Sequence, residues 1–248
     1  TSLATLALGY NMYSLWQAET LWGYRPLFFF LAMWASLGLL FWKRYTRHPK
    51  GLRWLGLATL SGVLLAVSFP PFPSTILLFV AWVPLLLVEY EVAQERAAGN
   101  SQASILPYTY HALVLWNILV TWWVGNTAFV AGIVAIWLNA WFMYVPIWFF
   151  QQTRKYLPKT GYISFVAYWI SFEFLHLNWE ISWSWLNLGN AFAQFPQAVQ
   201  WYEYTGIFGG SLWVLAVNVL IFKLYEQCGF RISPKLTWTQ HRKPLLLI

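Results

Sequence analysis

No Asp, Glu, Lys or Arg occurs between Trp54 and Val88, or again between Ala97 and Thr153. A soluble domain cannot carry such stretches, because its surface needs charged groups at short intervals and about a quarter of its residues are usually charged. Here 9% of residues are charged and 59% hydrophobic. A helix that crosses a bilayer needs about 20 consecutive uncharged apolar residues. A membrane β-barrel would instead show short alternating segments, and these runs are continuous. The sequence therefore predicts an all-α fold, a polytopic transmembrane helical bundle of about seven or eight spans.

Breakers divide the apolar runs into predicted spans near 25–42, 54–69, 74–90, 110–124, 129–150, 161–177 and 208–224. Residues 1–20 form a weaker candidate, interrupted by Asn11 and Gln17 and ending at Glu19. A chain opening on Thr1 rather than Met is expected to be processed or part of a longer one, and its tail "HRKPLLLI" reads as the opening of a further span. In "SFPPFPS", Pro70, Pro71 and Pro73 lack amide donors and fix φ, so no helix runs through. The Gly125-Asn126-Thr127 stretch is expected to reverse the chain in the same way.

Basic residues orient the bundle. Lys43, Arg44, Arg47, Lys50 and Arg53 fill one loop, Arg154, Lys155 and Lys159 a second, and Lys223, Arg231, Lys235, Arg242 and Lys243 a third. Threading the spans puts all three on one side, with the Glu91–Tyr108 loop, and the positive-inside rule makes that side cytoplasmic. The proline turn, the Gly125 turn and an aromatic-rich segment at 178–207 then face outward.

Several function classes drop away. The chain has no Asp, which removes carboxylate-rich calcium sites and most two-metal sites. Its single Cys, Cys228, has no partner for a disulfide and no metal-ligand neighbour. No G-x-S-x-G elbow, H-E-x-x-H helix, P-loop or C-x-x-C pair occurs, so no catalytic residue, metal or cofactor is expected. The net charge of +7 sits in loops between spans, which is membrane topology and not a nucleic-acid groove. Neither paired intramembrane charges nor an inverted repeat supports a transporter.

The outer segment invites two explanations. Trp179, Trp183, Trp185, Trp201, Tyr202 and Tyr204 suit an aromatic belt at the headgroup level. Asn187, Gly189, Asn190, Gln194 and Gln200 suit a lipid headgroup pocket with polar donors and apolar walls. Glu203 lies in the same segment. Glu173 and His176, three residues apart on one helical face near the outer end of the 161–177 span, must be paired or face a cavity. Glu173 could contact a headgroup or move a proton, or it could pair with His176 or with outer-loop amides and indoles.

Certain of these motifs carry a resemblance. "SFPPFPSTILLFVAWVPLLLVEYE", with Pro70-Pro71 and Pro84, resembles the first hairpin of apolipoprotein N-acyltransferases, especially those of Bacteroidetes-type bacteria. "LWNILVTWWVGNTA" resembles their next span. "ISFEFLHLNWEISWSWLNLGNAFAQFPQAVQWYEYTGIFGGSLWVLAVN" is similar to their most recognisable membrane stretch, with Glu173, Trp185-Leu186, Leu188-Gly189, Gln200-Trp201, Tyr204, Gly206, Gly210-Ser211-Leu212 and Asn218 on the pattern. The likeness covers about 55–225, and residues 1–53 match nothing in it.

The resemblance implies a bacterial inner-membrane enzyme that moves an acyl chain from a phospholipid to the amino group of a lipoprotein's diacylglyceryl-cysteine. Its chemistry belongs to a nitrilase-like outer domain with a Glu-Lys-Cys set, of which no residue carries over here; Cys228 falls on the cytoplasmic side. The outer segment would be the cavity floor, lined or shaped by Trp185, Asn190, Trp201, Glu203 and Tyr204. Pro70, Pro71, Glu173, His176, Gly206 and Gly210 would support it. Three parts are implied: extra membrane segments and a basic loop (1–53), an acyltransferase-like transmembrane domain (54–225), and a loop opening a further span (226–248). A non-catalytic structural or lipid-organising subunit of a larger complex, with other membrane proteins as partners, is the alternative.

Overall fold

The computed structural model describes residues 2–100, 102–158 and 160–228, and no strand occurs among them. The chain runs as α1 (Ser2–Gln17), α2 (Arg25–Leu40), the short α3 (Trp42–Thr46), α4 (Gly51–Val67), a 3-10 turn at Thr75–Leu77, α5 (Leu78–Ala81) and α6 (Val83–Ala97). It continues as α7 (Leu106–Thr121), α8 (Val124–Thr127), α9 (Phe129–Tyr156) and α10 (Tyr162–Leu177). Two 3-10 turns, Leu188–Gln194 and Pro196–Val199, then lead into α11 (Tyr202–Gln227).

Helices stand where the charge-free runs predict them, but their lengths differ. Thr75–Ala97, Phe129–Tyr156 and Tyr202–Gln227 are long and apolar enough to cross a membrane, whereas α2, α4 and α10 are shorter. A helix of about 16 residues reaches roughly 24 Å, less than the ~30 Å hydrocarbon layer. The predicted runs 25–42, 54–69 and 161–177 differ in length from α2, α4 and α10 by only one or two residues.

The break between α5 and α6 shows how the bundle is locked. Pro84 stands in the first turn of α6, and its missing N–H and bulky ring weaken the helix at this point. Asn218 of α11 enters the break: its Nδ2 donates to Leu78 O at 2.8 Å and its Oδ1 accepts from Trp82 N at 2.8 Å. Those two backbone groups are a helical i, i+4 pair, so one amide side chain replaces one helical hydrogen bond and ties α11 to the hairpin. Around it lies a core of fully buried indoles. Trp82 meets Trp169 edge-on at 4.5 Å and Trp116 at 6.0 Å, while Trp116 and Trp169 stack at 6.3 Å.

The helices sort their polar groups to two ends. At one end Thr75 Oγ1 donates to Ala191 O at 3.1 Å, Trp123 meets Trp185 edge-on at 5.0 Å, and Asn126 Nδ2 donates to Gly23 O at 3.1 Å. The proline turn, α8 and the 178–201 segment are thereby neighbours. The expected reversal at Gly125-Asn126-Thr127 is the single helical turn α8. At the other end Arg53 pairs with Glu91 at 2.7 Å, Lys50 and His48 with Glu95 at 2.7 and 3.3 Å, and Arg154 with Glu89. Lys159, Arg231, Lys235, Arg242, Lys243 and the "HRKPLLLI" tail lie outside the described residues. Helices α1 and α2 pack on each other, α2 against α7 and α1 against α9.

Candidate functional site

The polar groups at the end that holds the 178–201 segment meet where α10 stops. His176, in the last turn of α10, is buried, and its two ring nitrogens are both engaged. Trp179 Nε1 donates to His176 Nδ1 at 3.0 Å. Nδ1 is therefore an acceptor and the proton of the neutral ring is on Nε2, which donates to Asn139 Oδ1 at 2.7 Å. Asn139 Nδ2 in turn donates to Asn117 Oδ1 at 2.7 Å, and Asn117 Nδ2 to Leu113 O at 2.8 Å. Each donor finds an acceptor in sequence, so the chain fixes the tautomer of His176 and the orientation of both amides.

Glu173 sits one turn earlier and is also buried. It does not pair with His176. Its Oε1 accepts from Trp169 Nε1 at 3.0 Å and from the Leu188 amide at 2.9 Å, which anchors the first 3-10 turn of the outer segment to α10. Tyr202, at the start of α11, donates from its hydroxyl to Gly189 O at 3.1 Å. The same ring lies over Gly210, where an added Cβ would be 1.7 Å from the Tyr202 oxygen. Gly206 bends α11 with φ 61° and ψ −167°, a combination open essentially to glycine alone. Pro70 and Pro71 lie exposed in the turn before Thr75, and the bond between them is cis.

The residues expected to line a pocket are arranged differently from one another. Trp201 is half-buried and packs edge-on against Tyr202 and Trp213 at 5.0 and 5.9 Å. Asn190 is half-buried and donates to Ser184 O at 2.8 Å. Trp185 is 53% exposed, Tyr204 86% exposed, and Glu203 is exposed in the first turn of α11. None of these five lines the groove that the structure opens nearby.

That groove, of about 660 Å³, runs between α1, α9 and the end of α10. Trp16, Val134, Leu138 and Phe142 form apolar walls, while Asn139, His176 and Trp183 bring polar groups to its floor. Asn139, His176 and Trp183 also face a small inner recess that reaches Glu173 and Asn187. The indole N–H of Trp183 and the amide nitrogen of Asn187 are buried with no acceptor among the described residues. The groove is apolar along its length, which suits a fatty chain, and the two unpartnered donors are buried behind it. Among the described residues no group of three or more His, Cys, Asp or Glu could hold a metal.

Sequence reasoning missed Asn117, Asn139 and Met143, which meet at the centre of this cluster. The available signal was an amide inside a long apolar helix, which must find a partner there.

These features define a helical membrane protein with one of its two polar ends beside an apolar groove. The family model for the apolipoprotein N-acyltransferase N-terminal domain matches residues 61–220, and the chain belongs to that family. It is 29% identical to an apolipoprotein N-acyltransferase of Chlorobaculum tepidum over 179 residues, covering 71% of this chain and 33% of that protein. With an apolipoprotein N-acyltransferase of Geobacter metallireducens it shares 25% identity over 199 residues, covering 77% of this chain and 37% of the relative. The chain thus spans about a third of the length of these curated relatives. No solved structure matches it.

Proposed function

We propose that this chain is the transmembrane domain of an apolipoprotein N-acyltransferase in a bacterial inner membrane, crossing it about seven or eight times once the shorter helices are counted with their interfacial turns. Its basic end would face the cytoplasm, by the positive-inside rule, and the 178–207 segment the outer leaflet. Phospholipid would be the acyl donor and the diacylglyceryl-cysteine of a lipoprotein the acceptor. No catalytic residue is assigned within the chain; its part is to hold the acyl donor for chemistry carried out beyond the membrane domain.

The single observation that carries this reading is the match of residues 61–220 to the N-terminal domain of that family. An acyl chain would lie in the apolar groove along Val134 and Leu138, with Trp183, whose buried indole N–H has no acceptor among the described residues, turning to meet its carbonyl. Trp185, Asn190, Trp201, Glu203 and Tyr204 would then form the outer rim, where they can meet a headgroup or an approaching lipoprotein.

The test uses the full-length protein in cells depleted of their own N-acyltransferase, reading the mass of a lipoprotein's N-terminal peptide. Wild type should add one acyl chain, and the groove-filling Leu138→Trp and donor-removing Trp183→Phe should lower that addition at unchanged membrane levels. Acylation at wild-type rates in both variants would sink the role of the groove. No acylation by the wild type would point instead to a structural subunit.

A further inference from the structure

A second groove, of about 350 Å³, lies at the basic end of the bundle, between α2, α3, α7 and α9. It is large enough to be a ligand cleft, since these start near about 300 Å³. Trp34 and Gly38 of α2, Tyr110 of α7 and Trp141 of α9 form its walls, and Arg44 and Tyr45 of α3 lie at one end. Trp34, Leu37 and Gly38 follow one face of α2, and Phe41 breaks the helix before α3. The groove is apolar, with the exposed Arg44 among its lining. Just under half of its lining comes from residues that precede the region matched to the family.

The charges around the mouth are unbalanced. Every carboxylate at this end already has a cation: Glu89 has Arg154, Glu91 has Arg53, Glu95 has Lys50 and His48, and Glu226 has Lys223. Lys43, Arg44 and Arg47 are exposed on or just after α3, and none of them has a carboxylate within salt-bridge distance among the described residues. The sequence of residues 229–248 adds Arg231, Lys235, Arg242 and Lys243 and no acidic side chain. A second copy seated on this face would bring its own α3 cations to the same place. A negative group attached to an apolar body would match both the cations and the groove.

We propose that this groove is a binding site for an anionic phospholipid, with one acyl chain between Trp34, Gly38 and Trp141 and the phosphate on Arg44. It is distinct from the outer-end groove, lies at the opposite end of the bundle, and involves no acyl transfer. A zwitterionic lipid could fill the apolar part but would leave the three cations without a net counter-charge. A guanidinium is well suited to a phosphate because it presents several donors in one plane. Gly38 supplies the room: a Cβ added there meets nothing within 4 Å. The inference requires only that this end lie at a membrane surface, and it stands whether or not the acylation reading does.

The experiment is native mass spectrometry of the full-length protein, purified in detergent and mixed with equal phosphatidylglycerol and phosphatidylcholine. Wild type should retain one phosphatidylglycerol in preference to phosphatidylcholine. Arg44→Gln should lower that retention about fivefold, the worth of one cation at an anionic surface. Gly38→Leu should lower it at least as far by filling the groove, and it favours the helix, so an unchanged melting temperature will show that both variants fold. Equal retention of the two lipids, or wild-type retention in both variants, overturns the proposal. So does a dimer that Gly38→Leu splits, because the occupant would then be a second copy.

Discussion

Glu173 Oε1 accepts the Leu188 amide at 2.9 Å and the Trp169 indole at 3.0 Å, so one buried oxygen joins α10, the indole core and the 178–201 segment. Glu173→Leu strands both donors away from water, and each stranded donor costs about 1–3 kcal/mol. The variant should melt lower in detergent and be cut faster by protease within residues 178–200. Glu173→Gln keeps a carbonyl oxygen in place and should lose much less of either property. Equal losses in the two variants would show that the carboxylate acts by its charge and not as an acceptor.

Asn218 replaces a helical hydrogen bond between Leu78 O and Trp82 N with two of its own. Asn218→Leu removes both while the backbone groups stay buried, so a loss of about 2–4 kcal/mol is expected from two unsatisfied groups. Asn218→Asp retains the acceptor for Trp82 and loses the donor for Leu78, adding a buried carboxylate. It should be destabilised at least as much as the leucine variant in the same melting assay. An aspartate variant as stable as wild type would mean that Leu78 O needs no donor.

The unequal legibility of the fold follows from this bond. Charge-free runs and prolines show where helices lie because both effects are local: a span excludes charge, and Pro84 or Pro70 interrupts its own helix. The joint between α11 and the hairpin is not local. Asn218 finds its partners 136 and 140 residues away, and both are backbone atoms that carry no residue-type signal. Glu173 was legible as a carboxyl that needed a partner, and outer-loop amides and indoles were among the candidates. The groove was not legible, since it exists only where Trp16 of α1 and Leu138 of α9 stand apart over His176.

Gly206 separates backbone strain from crowding. Its φ of 61° and ψ of −167° suit glycine, yet a Cβ there meets nothing within 4 Å. Gly206→Ala should therefore cost about 1–3 kcal/mol through conformation alone. Gly210→Ala differs in kind, because its Cβ would press on the Tyr202 oxygen that donates to Gly189. Shortening the ring with Tyr202→Phe should relieve part of the Gly210→Ala loss and none of the Gly206→Ala loss. The double variants in a melting assay distinguish the two cases.

At the basic end, Glu89 and Arg154 form a pair with side chains 5% and 9% exposed. The Arg154 guanidinium lies 4.2 Å above the Tyr162 ring, and Lys223 Nζ lies 4.1 Å from the same ring. Taking one member from a buried pair leaves a charge with no compensation, which costs about 3–5 kcal/mol. Arg154→Leu should fall in that range, and Glu89→Leu should do the same by leaving the buried Arg154 without its carboxylate. The Glu89→Leu, Arg154→Leu double variant strands neither charge and should recover much of the stability lost in each single change. If the losses simply add, the pair contributes no coupling, and the clustering of charge at this end reflects the exclusion of charge from the spans and nothing more specific.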